Sequence, residues 1–296
     1  MRFVVGYTPN ARGADAVALG SALARAQGAH LDLVYVVDKG TRYGVLNEEG
    51  GRVGHDGQTV LTAQREGLEL VPEDVSVEFH VRNSDSFASG LIEAAVEGNA
   101  RLIVVGAAGN GLFKRHTVGT VANGLLHASP VPVALAPRGS RSKDAVTRLT
   151  LAVGQRTGAD AAIDTAIDWA KSRGVPLRLV SLVELDAEGD SGEVVNAAHV
   201  HANTVLTEAS RRLPERHMVS VEVAHGRTIE EAIDDLEWDE NEILLVGSSR
   251  LAERNRLFIG STAYKVLRAL PVPMVVIPRL LPVGPSGSGV QVTVED

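Results

Sequence analysis

Short apolar runs alternate along the chain with longer stretches in which apolar residues recur at helical spacing. A continuous apolar run of about five residues between turn residues predicts a buried strand, and the longer periodic stretches predict helices. The strands predicted in the first half are Phe3–Tyr7, Leu31–Val37, Val75–Val81, Leu102–Gly106 and Val131–Ala136. The helices predicted between them are Ala14–Gln27, Gln58–Leu68, Ser86–Gly98 and Thr120–His127.

The second half repeats this alternation. Its predicted strands are Leu149–Gly154, Leu177–Val183, Val219–Ala224, Ile243–Gly247 and Pro273–Pro278, and its predicted helices are Ala159–Arg173, Val194–Leu213, Thr228–Leu236 and Ser261–Ala269. Strict alternation predicts parallel strands with right-handed crossovers and helices on both faces. The strands are apolar throughout, as expected when both faces of a sheet are covered. The predicted fold class is α/β, with two tandem Rossmann-like, doubly wound, five-stranded parallel sheets.

The two halves are copies of one another in sequence. Residues 103–106 align with residues 244–247 at an offset of 141, and the same offset pairs Gly119 with Gly260 and the two Pro-Val-Pro segments with each other. At the start of each half, Val5-Gly6 aligns with Val153-Gly154 at an offset of 148. The first copy is therefore expected to carry about seven extra residues, because loops absorb insertions at little cost.

These alignments suggest where the chain divides. The extra residues are expected in the glycine-rich stretch 38–57, and a short polar linker is expected at 139–144. We expect one domain over residues 1–140 and a second over 147–280. The last residues, 281–296, are rich in Gly, Ser and Pro and predict a flexible tail.

Composition narrows the function classes. A chain of 296 residues with 44% hydrophobic residues can bury two cores, and a net charge of −8 argues against a general nucleic-acid surface. Because the chain has no cysteine, disulfides, thiolate metal sites and a cysteine nucleophile are excluded, and a cytoplasmic location is expected. The amino terminus lacks a secretory signal, and no apolar stretch reaches the roughly 18 residues of a membrane span, so neither secretion nor a membrane partner is expected.

The candidate chemistry lies in the loop after the fourth strand. Residues 106–120 follow the spacing G-x2-G-x9-G-T, with Gly106, Gly109, Gly119 and Thr120 at the fixed positions. Ligands of doubly wound folds bind at the carboxyl ends of the strands, where bare backbone lets a phosphate or ribose approach. A helix beginning at Thr120 would offer its free amides to the same anion, and the basic residues at 114–116 could neutralise outer phosphates.

The chain resembles the universal stress proteins in its alternation of elements and in this loop. The ATP-binding members carry G-x2-G-x9-G-S/T after the fourth strand, and the resemblance covers about residues 1 to 280. It implies the wider adenine-nucleotide α-hydrolase-like fold, a role in stress response, and ATP, with or without Mg²⁺, bound mainly in the first domain. The implied contacts are Val105 near the base, and Gly106, Gly109, Gly119, Thr120 and the amide of Val121 around the ribose and phosphates.

The second copy carries part of the same pattern. The implied contacts there are Gly247, Gly260 and Ser261, but Arg250 replaces the second glycine. The resemblance further implies that the fifth strands pair and join the two halves within one chain. A homodimer of two such chains is also expected.

Departures from the family pattern leave alternatives open. The Asp that usually ends the family's first strand aligns with Thr8 and, at the offset of 148, with Arg156. A nucleotide-free scaffold is therefore the second hypothesis. An enzyme that acts on an ATP-activated substrate is a third, although Tyr7–Arg12 does not resemble the pyrophosphate loop of such enzymes. We predict no catalytic residue, and at most weak ATP hydrolysis.

The histidines suggest no metal site from their spacing. His199 and His201 lie two apart on a predicted helix, where side chains face in nearly opposite directions, so exposed histidines are expected. His80 and His225 are placed at the ends of the third strands, near the mouth of the cleft, where a capping or turn role is predicted.

Overall fold

The computed structural model describes residues 1–38, 45–46, 52–53, 57–107, 119–139, 145–153, 160–185, 191–248, 257 and 259–278. In the first repeat the elements are β1 (Arg2–Gly6), α1 (Ala11–Gln27), β2 (His30–Asp38), β3 (Val45–Leu46), β4 (Arg52–Val53), α2 (Gly57–Glu69), β5 (Val77–Ser84), α3 (Phe87–Glu97), β6 (Leu102–Gly106), α4 (Thr120–Ala128) and β7 (Val133–Ala136). In the second they are β8 (Arg148–Ala152), α5 (Asp160–Arg173), β9 (Leu177–Glu184), α6 (Ser191–Arg212), β10 (Val219–Gly226), α7 (Ile229–Asp234), β11 (Glu242–Gly247), α8 (Ser261–Ala269) and β12 (Met274–Ile277).

The two repeats share one ten-stranded sheet with the order β10-β9-β8-β11-β12-β7-β6-β1-β2-β5. Within each repeat the strands are parallel and follow the order third, second, first, fourth, fifth. That is the doubly wound arrangement, so the predicted fold class is confirmed. The repeats are joined by β7 and β12, which pair antiparallel, as expected for the fifth strands.

Two layers of apolar side chains cover the faces of the sheet, and each continues across the join between the repeats. The central strands are buried on both faces; Phe3, Val4 and Val5 of β1 are each 0% exposed. The outermost strands β5 and β10 instead carry partly exposed residues, and Val81 is 44% exposed. The expectation of apolar strands throughout is therefore wrong for the third strand of each repeat, because only one neighbour covers an edge strand.

Helix α1 shows how local sequence sets the boundaries of an element. Asn10 has extended backbone, and its side-chain oxygen accepts hydrogen bonds from the amides of Arg12 and Gly13 at 3.0 and 3.2 Å. This cap starts the helix three residues before the predicted Ala14. The helix ends at Gly28, which has a left-handed φ of 58°.

The strand register corrects the alignment of the two repeats. Phe3 pairs with Leu31 and Leu102, and Leu149 pairs with Leu177 and Ile243, so the first strands correspond at an offset of 146 rather than 148. Counted along the sequence, the counterpart of Thr8 is therefore Gly154 and not Arg156. Both residues lie outside the described ranges. The first repeat is longer by five residues between the first and fourth strands, since the offset there is 141.

The extra residues of the first repeat are not simply a loop. Within the stretch 38–57, Val45–Leu46 and Arg52–Val53 form a short antiparallel pair, which the glycine-rich composition had concealed. Residues 140–144 of the linker predicted at 139–144, and the whole of the tail predicted at 281–296, lie outside the described residues.

A buried network of charged side chains lies at the amino ends of the strands in the second repeat. Glu242 is 0% exposed, and its carboxylate receives Arg178 Nη2 at 2.8 Å and Arg148 Nη2 at 2.5 Å. The Thr150 hydroxyl and the amide of Asp239 also donate to it. Arg178 lies over the Trp238 ring, 4.9 Å from its centroid. Every oxygen of this buried carboxylate is thus hydrogen bonded.

Replacing Glu242 by Ala should therefore lower the free energy of unfolding strongly. The change leaves the buried Arg178 without its main partner, which costs about 3–5 kcal/mol in comparable sites. Urea unfolding followed by circular dichroism measures the effect. Glu97→Ala is the control, because it removes an exposed partner of Arg82 and should change stability little; equal effects of the two substitutions would contradict a buried network that stabilises the repeat.

Candidate functional site

A cavity of about 290 Å³ opens at the carboxyl ends of β1 and β6. These strands are neighbours, and the chain leaves them toward opposite sides of the sheet, since β2 lies beyond β1 and β7 beyond β6. Doubly wound sheets bind their ligands in the crevice formed at such a switch point. The cavity is therefore where the topology alone would place a ligand.

Five of the predicted contacts line this cavity: Val105, Gly106, Gly119, Thr120 and Val121. Gly109 and the basic residues at 114–116 lie outside the described residues. The two ends of the loop motif therefore lie close together at this cavity. Whether these residues bind a nucleotide stays a prediction.

Gly106 has a packing role that the motif did not reveal. A Cβ atom at this position would lie 2.2 Å from the backbone oxygen of Arg12, which no side chain can tolerate. The first turn of α1 therefore approaches β6 through this glycine. Gly13 is constrained separately, because a Cβ there would lie 1.9 Å from the Thr8 oxygen in the segment between β1 and α1.

The first turn of α1 adds two polar residues that sequence reasoning missed. Asn10 and Arg12 both line the cavity, and Arg12 is its one charged residue among those that the structure describes. The Arg12 side chain is exposed, so it can move toward a ligand without breaking a buried contact. The signal was present in Asn10, a good helix cap directly after the first strand.

The start of α4 leaves its amides uncapped by side chains. Gly119 is the N-cap residue, with extended backbone at φ −76°, and no side chain of a described residue caps the helix. By contrast, Asn10, Ser86 and Thr228 cap α1, α3 and α7 through their own side chains. The first amides of α4 and the positive end of its dipole therefore face the cavity, where they favour a negative charge.

Apolar side chains form the inner walls. Val34 and Val36 come from β2, Phe87 and Leu91 from α3, and Val105 from β6. Val34, Leu91 and Val105 are at most 4% exposed, so the walls are fixed by the core behind them. Walls of this kind suit the faces of an aromatic or sugar ring.

Tyr7 lies at the base of the cavity but is held by the opposite face of the sheet. Its ring packs edge to face against Phe79 at 6.4 Å, and Gly67 of α2 leaves room for it. Burial raises the pKa of the Tyr7 hydroxyl above its usual value, so the phenol is neutral at physiological pH. It therefore carries no charge for binding.

The equivalent region of the second repeat is described only in part. Gly247 ends β11, and Gly260 and Ser261 begin α8, which again has no side-chain cap. Among the described residues, a Cβ atom at Gly247 would meet the Ala162 Cβ at 3.4 Å, an ordinary contact, and the counterpart of Arg12 lies outside those residues. Arg250, in place of the second glycine, lies outside the described residues.

His80 does not have the predicted role. It lies inside β5, which continues to Ser84, and its Nε2 is 3.2 Å from Asp32 Oδ1. It therefore belongs to a charged group of side chains away from the cavity rather than to a cap at the cleft mouth. His225 is the last residue but one of β10 and is exposed.

Comparison with known proteins decides the family. The model of the universal stress protein family matches residues 1–137 and 146–278. The chain belongs to the universal stress protein family. It carries two copies of the family's domain, so the predicted tandem membership is confirmed.

Curated members of this family match most of the chain. Universal stress proteins of Mycobacterium tuberculosis and Mycobacterium bovis are each 28% identical over 302 residues, which covers 94% of this chain and 100% of the relative. A universal stress protein structure from Archaeoglobus fulgidus superposes with a TM-score of 0.67 at 18% identity, covering 94% of this chain and 98% of that one. A structure from Pseudomonas aeruginosa titled as a putative universal stress protein gives 0.61 at 17% identity, with 94% and 92% covered.

None of the described helices combines the length and the apolar composition that crossing a bilayer requires.

The close approach at Gly106 has a measurable consequence. Gly106→Ala should lower the free energy of unfolding by about 1–3 kcal/mol, because the new methyl group collides with backbone rather than with a flexible side chain. Gly57→Ala is the control and should be tolerated, since Gly57 is exposed at the start of α2 and a Cβ there meets no described residue within 4 Å. Chemical unfolding of both variants checks this; a stable Gly106→Ala protein would show that the loop and α1 do not pack as described.

Proposed function

We propose that the first repeat binds an adenine nucleotide, ATP with or without Mg²⁺, and that the chain works as a regulatory binding module in the stress response. In this proposal binding changes the shape or the partners of the protein, and any hydrolysis of ATP is slow and incidental. The cytoplasmic location and the homodimer expected from the sequence remain predictions.

The observation that carries the proposal is one cavity with an apolar inner end and an anion-attracting mouth. The inner end has the valine and leucine walls, and the mouth has the uncapped start of α4 together with Arg12. A nucleotide has the same polarity, with a flat base at one end and negative phosphates at the other. Its base and ribose would occupy the inner part, with the phosphates at the mouth.

The volume is consistent with that arrangement. About 290 Å³ lies at the small end of the roughly 300–1,000 Å³ usual for ligand pockets. It suits a nucleoside better than a whole nucleotide, so the phosphates would lie outside the enclosed part. Among the described residues, the helix amides and the Arg12 side chain are the groups able to neutralise them there.

The second repeat supports the same proposal less strongly. Its α8 also begins without a side-chain cap, and Gly247, Gly260 and Ser261 occupy the matching positions. Arg250 stands where the first repeat has Gly109, and Gly154 where it has Thr8. We therefore propose the first repeat as the main nucleotide site.

A nucleotide-free scaffold is the second candidate, and one observation favours it. Gly106 is needed for packing against Arg12 whether or not a ligand binds. The first glycine of the motif therefore has a purely structural explanation. Mass spectrometry of small molecules released from the denatured protein separates the two candidates. Co-purified adenine nucleotide would count against the scaffold.

The helix start can be tested by adding a negative charge to it. Thr120→Glu places a carboxylate at the exposed first position of α4, which suits the helix dipole and should not lower the melting temperature. The same charge repels phosphates, so the affinity for ATP should fall at least about tenfold in calorimetric titration. Ser261→Glu makes the matched change in α8 and should leave the first-repeat affinity intact. The proposal fails if the wild type gives no saturable binding below millimolar ATP, or if Thr120→Glu binds as well as the wild type.

Arg12 allows a second test that separates phosphate from base recognition. Arg12→Gln should weaken ATP binding about tenfold, the loss expected for a hydrogen bond to a charged group, and should change adenosine binding little. Arg25→Gln is the control on the same helix, because Arg25 pairs with Asp74 far from the cavity. An equal loss for ATP and adenosine would show that Arg12 does not act on the phosphates.

A further inference from the structure

A group of five charged and histidine side chains lies at the amino ends of β1, β2 and β5, at the opposite end of these strands from the cavity. We call Arg2, His30, Asp32, Glu78 and His80 the amino-end cluster. The register places Arg2 beside His30 and Asp32 beside Glu78. Because alternate residues of a strand point to the same face, the five side chains project together.

Three potential ligand atoms of this cluster, one each from His30, Asp32 and Glu78, lie within 4.8 Å of one another, and His80 lies beside the two carboxylates. The His30 Nε2 atom is 3.6 Å from Asp32 Oδ1 and 3.5 Å from Glu78 Oε2. The His80 Nε2 atom is 3.2 and 3.6 Å from the same two oxygens. In a tetrahedral zinc site with bonds of about 2.0–2.1 Å, neighbouring ligand atoms are about 3.3–3.4 Å apart. Two imidazoles and two carboxylates are also ligands that zinc accepts.

His30 is oriented in the manner of a metal ligand. Its Nδ1 is 2.7 Å from the hydroxyl oxygen of Ser76, which holds the ring in place. Its Nε2 is buried and makes no hydrogen bond to any described residue. Metal-bound histidines usually bind the metal through one ring nitrogen and an outer hydrogen-bond partner through the other. An unpaired Nε2 that faces two carboxylates is otherwise an unfavourable arrangement.

Arg2 provides the positive charge that faces the Asp32 and Glu78 carboxylates in this structure. Its Nε donates to Asp32 Oδ2 at 2.8 Å, and its Nη2 contacts Asp32 Oδ1 and donates to Glu78 Oε2 at 2.7 Å. The guanidinium therefore lies between the oxygens that a metal would use. The Arg2 side chain is 38% exposed, so it can swing into solvent without crossing the core.

We propose that the amino-end cluster is a binding site for a divalent transition-metal ion, best matched by Zn²⁺, with Arg2 as the resident cation that the metal displaces. The ion would link the two outer strands of the first repeat, β2 and β5, through His30, Asp32 and Glu78, with the neighbouring His80 as the remaining donor. This site is independent of the proposed nucleotide function. Its effect on the protein would be stabilisation of the sheet edge in proportion to the free metal concentration.

The second repeat provides an internal comparison. At the matching register positions, Asp32 is replaced by Arg178, Glu78 by Ser220 and His80 by Glu222. Pro176 stands in place of His30. The second repeat therefore neutralises its buried Glu242 with arginines and lacks the donor set, so one ion per chain is expected.

The test is calorimetric titration of the chelator-treated full chain with Zn²⁺. His30→Gln and Glu78→Gln should each lower the association constant at least about tenfold. His199→Gln removes an exposed histidine elsewhere and should leave it unchanged. Equal affinity of wild type and both cluster variants would mean binding at scattered surface histidines and would overturn the proposal, as would the absence of saturable binding.

Arg2→Gln distinguishes a metal site from a simple ion-pair network. If Arg2 competes with the metal, its removal should raise the association constant for Zn²⁺ on the order of tenfold, because a like charge leaves the site. An unchanged or weakened affinity would contradict the role given to Arg2. Co²⁺ provides a spectroscopic check, since a four-coordinate site should give visible absorption bands that His30→Gln abolishes. Glu78 is more than half exposed, so Glu78→Gln keeps the test decisive even if His30→Gln fails to fold.

Discussion

The antiparallel pairing of β7 with β12 is the interaction on which the rest of the molecule depends. Three residue pairs form it, running from Val133 opposite Val276 to Leu135 opposite Met274. All of these side chains are at most 1% exposed. Without the join, each repeat would present a fully apolar strand edge to water, which invites aggregation. The pairing places these two apolar edges at the centre of one sheet. Both apolar layers then continue from one repeat into the other.

The direction of this pairing also arranges the polar ends of the sheet. Since the repeats meet antiparallel, the carboxyl ends of the strands of one lie on the same rim as the amino ends of the other. The first-repeat cavity therefore shares its rim with the buried Glu242 network, and the amino-end cluster shares the other rim with Gly247 and α8. In each repeat, charged side chains gather at the amino ends of the strands, and the glycines of the candidate binding region lie at the carboxyl ends.

Much of the architecture could be predicted from the sequence, because apolar runs and glycines mark strand ends directly. β6 and α4 begin where the pattern predicts, since Leu102–Gly106 is a short apolar run and Gly119 precedes a periodic stretch. The alignment of the first strands was wrong because Val-Gly occurs in both repeats at positions that are not equivalent. Gly6 packs under Leu91, whereas its true counterpart, Ala152, carries a Cβ atom.

The candidate site could be predicted only in part, for a different reason. A loop motif identifies residues close together in sequence, and Gly106 and Thr120 are of that kind. Arg12 reaches the cavity only because the cap at Asn10 starts α1 early, and the packing role of Gly106 depends on where that helix then lies. The amino-end cluster is still less visible, since its members come from three strands and are united by register alone.

The charges on the outermost strands affect whether another chain can extend the sheet. β5 and β10 end the sheet, and β5 presents Glu78, His80 and Arg82 in alternation along its length. Another polypeptide that tried to extend the sheet at this edge would have to bury these ionic groups or match each with an opposite charge. The flank that gathers charge in the first repeat is thus also a barrier to open-ended polymerisation, which a ten-stranded ribbon would otherwise encourage.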